Sequence, residues 1–280
     1  MHRAWWVALV VLLCLVSAAG FRSSTGALME PLEAEFGWSR TITSSAVSIN
    51  LVVFGLTAPF AAALMERFGL RRVLTIALVL VSLGSGLTVL MRAPWQLMVL
   101  WGLAVGFGTG AMALVLGAFV ATRWFAARRG LVTGIFSAAS STGQLIFLPS
   151  IAALAAGPGW RYAALLTAGA ALALVPLVRL VVADHPADVG TRPWGAERPD
   201  AVPTVEPEGE PAHRGAGLAV ARRALSVLGD ARRSGAFWVL AGTFFVCGWS
   251  TNGLIGTHFI PAAHDHGMPA TTAAGLLALI

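Results

Sequence analysis

The chain has 280 residues, of which 57% are hydrophobic and only 11% are charged. Soluble domains carry about 25% charged residues, so this composition excludes an ordinary soluble protein and predicts a membrane protein. The formal charge of +6 is the balance of 19 basic residues, all arginine, and 13 acidic residues. Because these arginines lie mostly in loops between apolar runs, they indicate membrane topology rather than nucleic-acid binding.

The first three apolar runs each predict a membrane helix. Residues 5–33 predict a long, tilted first helix that contains Arg22, and residues 41–64 predict a second helix with Asn50 in its outer half. A short charged stretch over residues 66–72 separates the second helix from a third over residues 73–91. Such a cluster of charges between two apolar runs is typical of a tight loop at a membrane surface.

Three further helices complete a predicted six-helix unit over residues 1–183. The fourth helix spans residues 95–122 and is rich in glycine, which favours close helix packing. A second basic loop over residues 123–130 precedes a fifth helix over residues 131–153, which holds Gln144. The sixth helix spans residues 162–182.

The composition changes sharply at residue 184. Residues 184–234 predict a cytoplasmic linker. Its first part, to residue 215, is too polar and proline-rich to pack. Its second part predicts an amphipathic, arginine-rich surface helix over residues 217–233. Residues 235–280 predict the start of a second membrane half, with a seventh helix over residues 236–261 that holds Asn252 and His258. An eighth helix begins near Thr271 and is unfinished at Ile280, so the sequence predicts a fragment or a truncated product.

The distribution of arginines between the loops predicts a multi-pass protein of the cell membrane with a cytoplasmic N-terminus, because short cytoplasmic loops carry the arginine excess. The loops assigned to the inner side hold Arg67, Arg71, Arg72, Arg123, Arg128 and Arg129. Those assigned to the outer side hold Arg40, Arg92 and Arg161.

The charged stretch after the second helix resembles the loop between the second and third helices of the major facilitator superfamily. That loop typically reads Gly-x-x-x-Asp-Arg-x-Gly-Arg-Arg-Arg. The matching positions here are Glu66 (in place of Asp), Arg67, Gly69, Arg71 and Arg72. Ala62 and Leu70 depart from the pattern.

Five other segments resemble the monocarboxylate and oxalate–formate branch of that superfamily: residues 20–26, 36–40, 124–138, 184–195 and 257–261. The resemblance implies an all-α membrane protein with a helix bundle, of which this chain holds the N-terminal six-helix half and the start of the second half. It also implies a substrate site between the halves at the bilayer midplane.

The candidate substrate-binding residues are the polar side chains inside the predicted helices: Arg22, Asn50, Gln144, Asn252 and His258. An intramembrane arginine is costly and points to function, and its planar guanidinium matches a carboxylate. Arg22 has alternatives, since it could reach the outer surface or pair with Glu30. Asn50 and Gln144 could instead join helices, and His258 is a candidate proton sensor or an interfacial side chain.

The candidate gating residues lie in the two inner loops, where Glu66 with Arg71 and Arg72 predicts a latch that closes when the halves meet. The alternative is that these charges only set topology. The full set is Glu66, Arg67, Gly69, Arg71, Arg72, Arg128 and Arg129.

The sequence contains no catalytic spacing, metal-ligand cluster or phosphate loop, so it predicts neither an enzyme nor a cofactor or metal site. Together with the resemblance, it predicts a secondary active transporter in the lipid bilayer that moves a small organic anion such as a monocarboxylate, with a proton as the candidate coupling ion. The alternatives are transport of a neutral or drug-like solute, or a membrane receptor or anchor without transport.

Overall fold

The computed structural model describes residues 2–196, 226, 229 and 231–278, and these residues are almost entirely helical. Seven of the helices are long and apolar enough to cross a membrane. This result confirms the predicted all-α membrane fold. The helices are α1 (Arg3–Phe36), α2 (Arg40–Phe68), α3 (Leu70–Leu90), α4 (Pro94–Trp124), α5 (Arg129–Ala156), α6 (Trp160–Val181), α7 (Gly235–Asp265) and the shorter α8 (Ala270–Ala278).

The centre of the bundle is α1, which packs against α5 and α6 and against the C-terminal part of α7. Its Phe21, Leu28 and Met29 are fully buried. Around it, α2 packs on α4, α3 packs on α4 and α6, and α8 packs on α5. By contrast, α7 leaves Phe244 and Trp249 exposed, as suits helices whose surroundings are apolar rather than aqueous.

Close helix approach depends on glycine at two of these interfaces. A Cβ atom added at Gly143 on α5 would lie 2.5 Å from the carbonyl oxygen of Val16 on α1. One added at Gly108 on α4 would lie 2.7 Å from the carbonyl oxygen of Ala77 on α3. Small residues let membrane helices approach until their backbones touch, and here only a hydrogen fits.

Two of the long helices are irregular in the middle. A π-helical segment, Met98–Val105, lies within α4, and a second, Trp249–Ile255, lies within α7. Single π-helical turns shift the register of the side chains that follow and are frequent at functional sites.

The beginning of the predicted linker packs against the bundle, and this corrects the expectation that it is too polar to do so. The backbone NH of Trp194 donates to the carbonyl oxygen of Trp124 at 2.8 Å, and that of Ala126 donates to the carbonyl oxygen of Trp194 at 2.9 Å. The ring of Trp194 packs edge-on against Trp5 with centroids 5.5 Å apart. Backbone hydrogen bonds and one aromatic side chain replace the apolar surface that the segment lacks.

The predicted surface helix over residues 217–233 lies largely outside the described residues. Within it, Ser226, Gly229 and Ala231 are helical.

Candidate functional site

A cavity of about 390 Å³ lies where α1, α2 and α5 meet α7 and α8. It collects three of the five predicted substrate-binding residues, which are Arg22, Asn50 and Gln144. Helices that precede the linker and helices that follow it both contribute to the cavity wall. The remaining lining residues are Ala19, Thr25, Val47, Leu51, Ser140, Ser141, Leu148, Thr251, Ile255, Gly256, Thr257 and Leu277.

Arg22 supplies the cavity with its positive charge. It follows Arg3 by 19 residues, which places it about 28 Å along a helix roughly 51 Å long, close to the helix centre. The Cζ atom of Arg22 lies 4.4 Å from the centroid of the Phe54 ring on α2. This cation–π contact holds the guanidinium on the α2 side of the cavity.

Asn50 and Gln144 have two roles each, because they line the cavity and also join helices. The side-chain amide of Asn50 donates to the carbonyl oxygen of Trp101 on α4 at 2.6 Å. That of Gln144 donates to the carbonyl oxygen of Leu277 on α8 at 3.0 Å. Asn50 and Gln144 therefore do join helices, as the alternative interpretation states. Their position in the cavity wall also allows contact with a ligand.

The two predicted residues of α7 are placed differently. His258 is partly buried and is not among the residues that line the cavity. Asn252 belongs to the π-helical segment of α7, and its side chain lies outside what the structure describes. The side chains of Thr251 and Thr257 line the cavity instead, and both were missed because the π-helical segment changes the register that a regular helix would have.

Beyond one end of the cavity, close contacts between polar side chains connect the first two helices to the end of α7. Nδ1 of His264 lies 2.8 Å from Oε1 of Glu30 on α1. Arg40 on α2 lies 3.2 Å from Asp265 and 3.5 Å from Glu33. Glu30, which was a candidate partner for Arg22, is eight residues further along α1, a rise of about 12 Å.

The predicted gating residues lie together at the opposite end of the bundle, but their contacts differ from the predicted latch. Among the described residues, Glu66 forms no salt bridge with Arg71 or Arg72. The backbone NH of Arg71 donates to Oδ1 of Asp184 at 2.8 Å, and its Nε donates to the carbonyl oxygen of Val182 at 2.6 Å. The structure thus connects this loop to the start of the linker.

The other predicted gating residues contact their own loops or the start of the linker. Arg128 adopts a left-handed backbone conformation with φ of 55°, and its Cζ atom lies 5.9 Å from the centroid of the Trp194 ring. Nε of Arg129 donates to the carbonyl oxygen of Phe125 at 2.6 Å. The guanidinium of Arg67 lies over the ring of Phe68.

Gly69 has a structural reason to be glycine. It is the single residue between α2 and α3, its φ is +86°, and an added Cβ atom would lie 2.5 Å from Oδ2 of Asp184. Asp184 in turn accepts from the first turn of α3, where a carboxylate is favourable. Asp184 is a contact residue that the sequence indicated only as part of a motif.

Within the described ranges, no group of three or more histidine, cysteine, aspartate or glutamate side chains could hold a metal ion. The chemistry that the cavity offers is that of one guanidinium, several hydroxyl and amide groups, and apolar walls. This arrangement can bind and orient an anion, and the described lining residues include no nucleophile–base pair.

Comparison with known proteins gives a consistent result. The chain matches the Major Facilitator Superfamily over residues 11–280. It is similar to an uncharacterised MFS-type transporter, YcxA, from Bacillus subtilis, with 26% identity over 56% of this chain and 38% of that protein. It is similar to monocarboxylate transporter 7 of Homo sapiens, with 29% identity over 58% of this chain and 31% of that protein. It is also similar to monocarboxylate transporter 11 of Mus musculus, with 31% identity over 56% of this chain and 35% of that protein.

The fold is that of solved transporters. A D-xylose–proton symporter superposes with a TM-score of 0.66 at 15% identity, covering 99% of this chain and 66% of the symporter. The xylose transporter XylE from E. coli in a partially occluded inward-open conformation superposes with a TM-score of 0.63 at 14% identity, covering 99% and 70%. The matched proteins are transporters rather than enzymes, as the sequence predicts for this chain. The matches span about a third of the length of the curated relatives.

Proposed function

The chain belongs to the Major Facilitator Superfamily, and on that premise we propose that it is part of a secondary active transporter that moves a small organic anion, with a monocarboxylate as the leading substrate class. The observation that carries this proposal is the position of Arg22. It brings a cation into a cavity formed by helices from both sides of the linker. Monocarboxylate transporters among the relatives support the same substrate class.

The composition of the cavity wall supports a small, singly charged ligand. A guanidinium presents two parallel N–H groups that match the two oxygens of a carboxylate. Asn50, Gln144 and the hydroxyl groups of Ser140 and Ser141 can accept or donate hydrogen bonds around it. Val47, Leu51 and Ile255 provide apolar surface for a short carbon chain, and a volume of about 390 Å³ lies at the small end of typical ligand pockets.

Alternating access is the proposed mechanism. Substrate sites in this type of transporter lie between two helical halves that rock against each other. In this chain, α7 and α8 of the second half contribute the walls of the cavity that face α1, α2 and α5. The contacts Glu30–His264 and Arg40–Asp265 cross the same boundary, and we assign them to closure of the cavity on the outer side.

The membrane location and the coupling are parts of the same proposal. The arginine-rich loops support a cytoplasmic N-terminus and a location in the cell membrane. A proton is the proposed coupling ion, with His258 as the candidate carrier because it follows Thr257, a residue of the cavity wall. The inner-loop arginines and Glu66 keep their proposed gating role through contacts with the second half.

The test is substrate counterflow by the complete protein in liposomes. The panel consists of short monocarboxylates, dicarboxylates and the uncharged amides of the same acids. We expect counterflow with monocarboxylates and none with the amides, because only the carboxylate pairs with Arg22. Counterflow with the amides alone would support a neutral-solute transporter, and binding without flux would support a receptor.

A further inference from the structure

A second cavity, of about 530 Å³, lies at the arginine-rich end of the bundle between the start of α3 and the end of α6. It is separate from the substrate cavity and shares no lining residue with it. Its wall consists of Arg71, Arg72, Thr75, Ile76 and Arg179. Three of these five side chains are cationic, and none is acidic.

The charges of this pocket are largely uncompensated. Arg72 and Arg179 are exposed, and no described carboxylate lies within 4 Å of either guanidinium. Arg71 uses its Nε to bind the carbonyl oxygen of Val182. Asp184 is hydrogen bonded to the backbone NH of Arg71 and does not line the pocket.

An apolar strip leads from the pocket along α3. Ile76 and Leu83 follow at an interval of seven residues, and their exposed fractions are 59% and 52%. Seven residues make almost two helical turns, so these side chains share one face of α3. Leu180, next to Arg179 on α6, is 76% exposed and provides apolar surface beside the pocket.

We propose that this pocket binds the headgroup phosphate of an anionic phospholipid, whose acyl chains lie along the exposed strip of α3. Arginine is the side chain best suited to phosphate, because it donates two parallel hydrogen bonds and keeps its charge. Basic pockets between membrane helices on the cytoplasmic side bind such headgroups, and anionic lipids are enriched in that leaflet. The strip selects a lipid over free phosphate, which needs no apolar surface.

The bound lipid has a structural consequence. Arg71 and Arg72 begin α3 and Arg179 lies near the end of α6, so a phosphate shared by them holds these two helix ends together. The proposal rests on the membrane location of the chain and does not depend on the identity of the transported solute. Counterflow can therefore fail while lipid binding succeeds.

The experiment titrates the purified complete protein in detergent with phosphatidylglycerol and, separately, with phosphatidylcholine. Native mass spectrometry counts the bound lipids. We expect the double variant Arg72→Gln/Arg179→Gln to bind phosphatidylglycerol about 30-fold more weakly, since each arginine near an anionic lipid surface contributes roughly a fivefold factor. The variant Arg72→Lys/Arg179→Lys should retain most of the binding, because it keeps both charges.

The matched control is Arg3→Gln/Arg192→Gln. It removes the same charge from two exposed arginines at the same end of the molecule, outside the pocket. An equal loss of binding in this control would overturn the proposal in favour of general charge attraction. Equal affinity for phosphatidylcholine, or displacement of phosphatidylglycerol by millimolar inorganic phosphate, would also overturn it.

A measurement on the unaltered protein tests the proposal independently of any variant. Phosphatidylglycerol with a photoreactive group in its acyl chain is cross-linked to the complete protein in nanodiscs, and the labelled peptides are mapped. The proposal predicts labelling of the α3 strip that includes Ile76 and Leu83. Labelling spread evenly over the exposed faces of α2, α5 and α7 would overturn it.

Discussion

Oε1 of Glu30 on α1 lies 2.8 Å from Nδ1 of His264 at the end of α7. The two residues are 234 positions apart, and they connect the six-helix unit to the helix that follows the linker. Both side chains are partly exposed, at 38% and 49%. Partly exposed pairs contribute about 1 kcal/mol or less, so this contact can close a boundary and still open during a transport cycle.

Breaking this pair should therefore loosen the boundary without unfolding the protein. We expect Glu30→Gln and His264→Gln each to raise the rate at which maleimide labels a cysteine introduced at Thr257 in the cavity, with Cys247 replaced by serine. The melting temperature should change little, because the lost contact is weak. The control is Glu35→Gln, which breaks contacts from α1 to Trp160 and Arg161 on α6 and leaves α7 untouched. Unchanged labelling in the first two variants would contradict the assigned closing role.

The turn between α2 and α3 should not tolerate a side chain at Gly69. Gly69→Ala introduces strain at a φ of +86° and a contact of 2.5 Å with Asp184, so we expect a loss of about 1–3 kcal/mol in the free energy of unfolding. Asp184→Ala should cost about 1 kcal/mol through loss of a helix cap. The double variant should lose less than the sum, because removing the carboxylate removes the contact. Chemical unfolding in detergent measures all three, and full additivity would show that the contact does not matter.

Packing of α1 on α5 gives a third prediction. Gly143→Ala places a methyl group 2.5 Å from the carbonyl oxygen of Val16, so the helices must move apart at a cost of about 1–3 kcal/mol. Gly169→Ala on α6 is the matched control, because an added Cβ atom there meets nothing within 4 Å. Thermal unfolding of the two variants should differ clearly. Equal melting temperatures would indicate that α1 and α5 are less closely packed than their backbones imply.

The sequence predicts the helices well, because a long apolar run has few alternatives in a membrane. The errors of this prediction lie at the ends of the helices. The second helix was predicted to end at residue 64 and ends at Phe68, and the third was predicted to begin at residue 73 and begins at Leu70. Charged side chains such as Glu66 and Arg67 continue a helix readily once they reach the membrane surface. Only Gly69 is needed for the turn.

The cavity was predictable where large polar side chains occur inside apolar helices. Arg22, Asn50 and Gln144 carry a charged or amide group within apolar helices beside smaller hydroxyl side chains, and they line one cavity. The contributions of Thr251 and Thr257 could not be predicted, because they depend on the π-helical segment of α7. The contacts of Asp184 with Arg71 depend on chain segments 113 residues apart, and composition carries no information about such a pairing.

The final prediction concerns Arg22 in the complete protein. Arg22→Ala should abolish monocarboxylate counterflow at normal expression, since it removes the one cation among the described residues that line the cavity and also a residue that is costly to insert. Arg22→Lys keeps the charge but loses the planar fork, so we expect KM to rise about tenfold, equivalent to roughly 1.4 kcal/mol. Phe54→Leu removes the cation–π contact at 4.4 Å and should have a smaller effect of the same sign.

Three measurements separate this role from a purely structural one. Arg92→Ala, an exposed arginine outside the cavity, should leave both flux and stability unchanged. If Arg22 instead serves to pair with Glu30, then Arg22→Ala should lower the melting temperature, and Arg22→Ala/Glu30→Ala should recover both folding and flux. The contact of Glu30 with His264 argues that Arg22 binds substrate rather than pairing with Glu30, because the Glu30 carboxylate still has a partner when Arg22 is removed. Full counterflow by Arg22→Ala would show that Arg22 does not bind the substrate. The proposal of an anionic substrate would then lose the cation on which it rests.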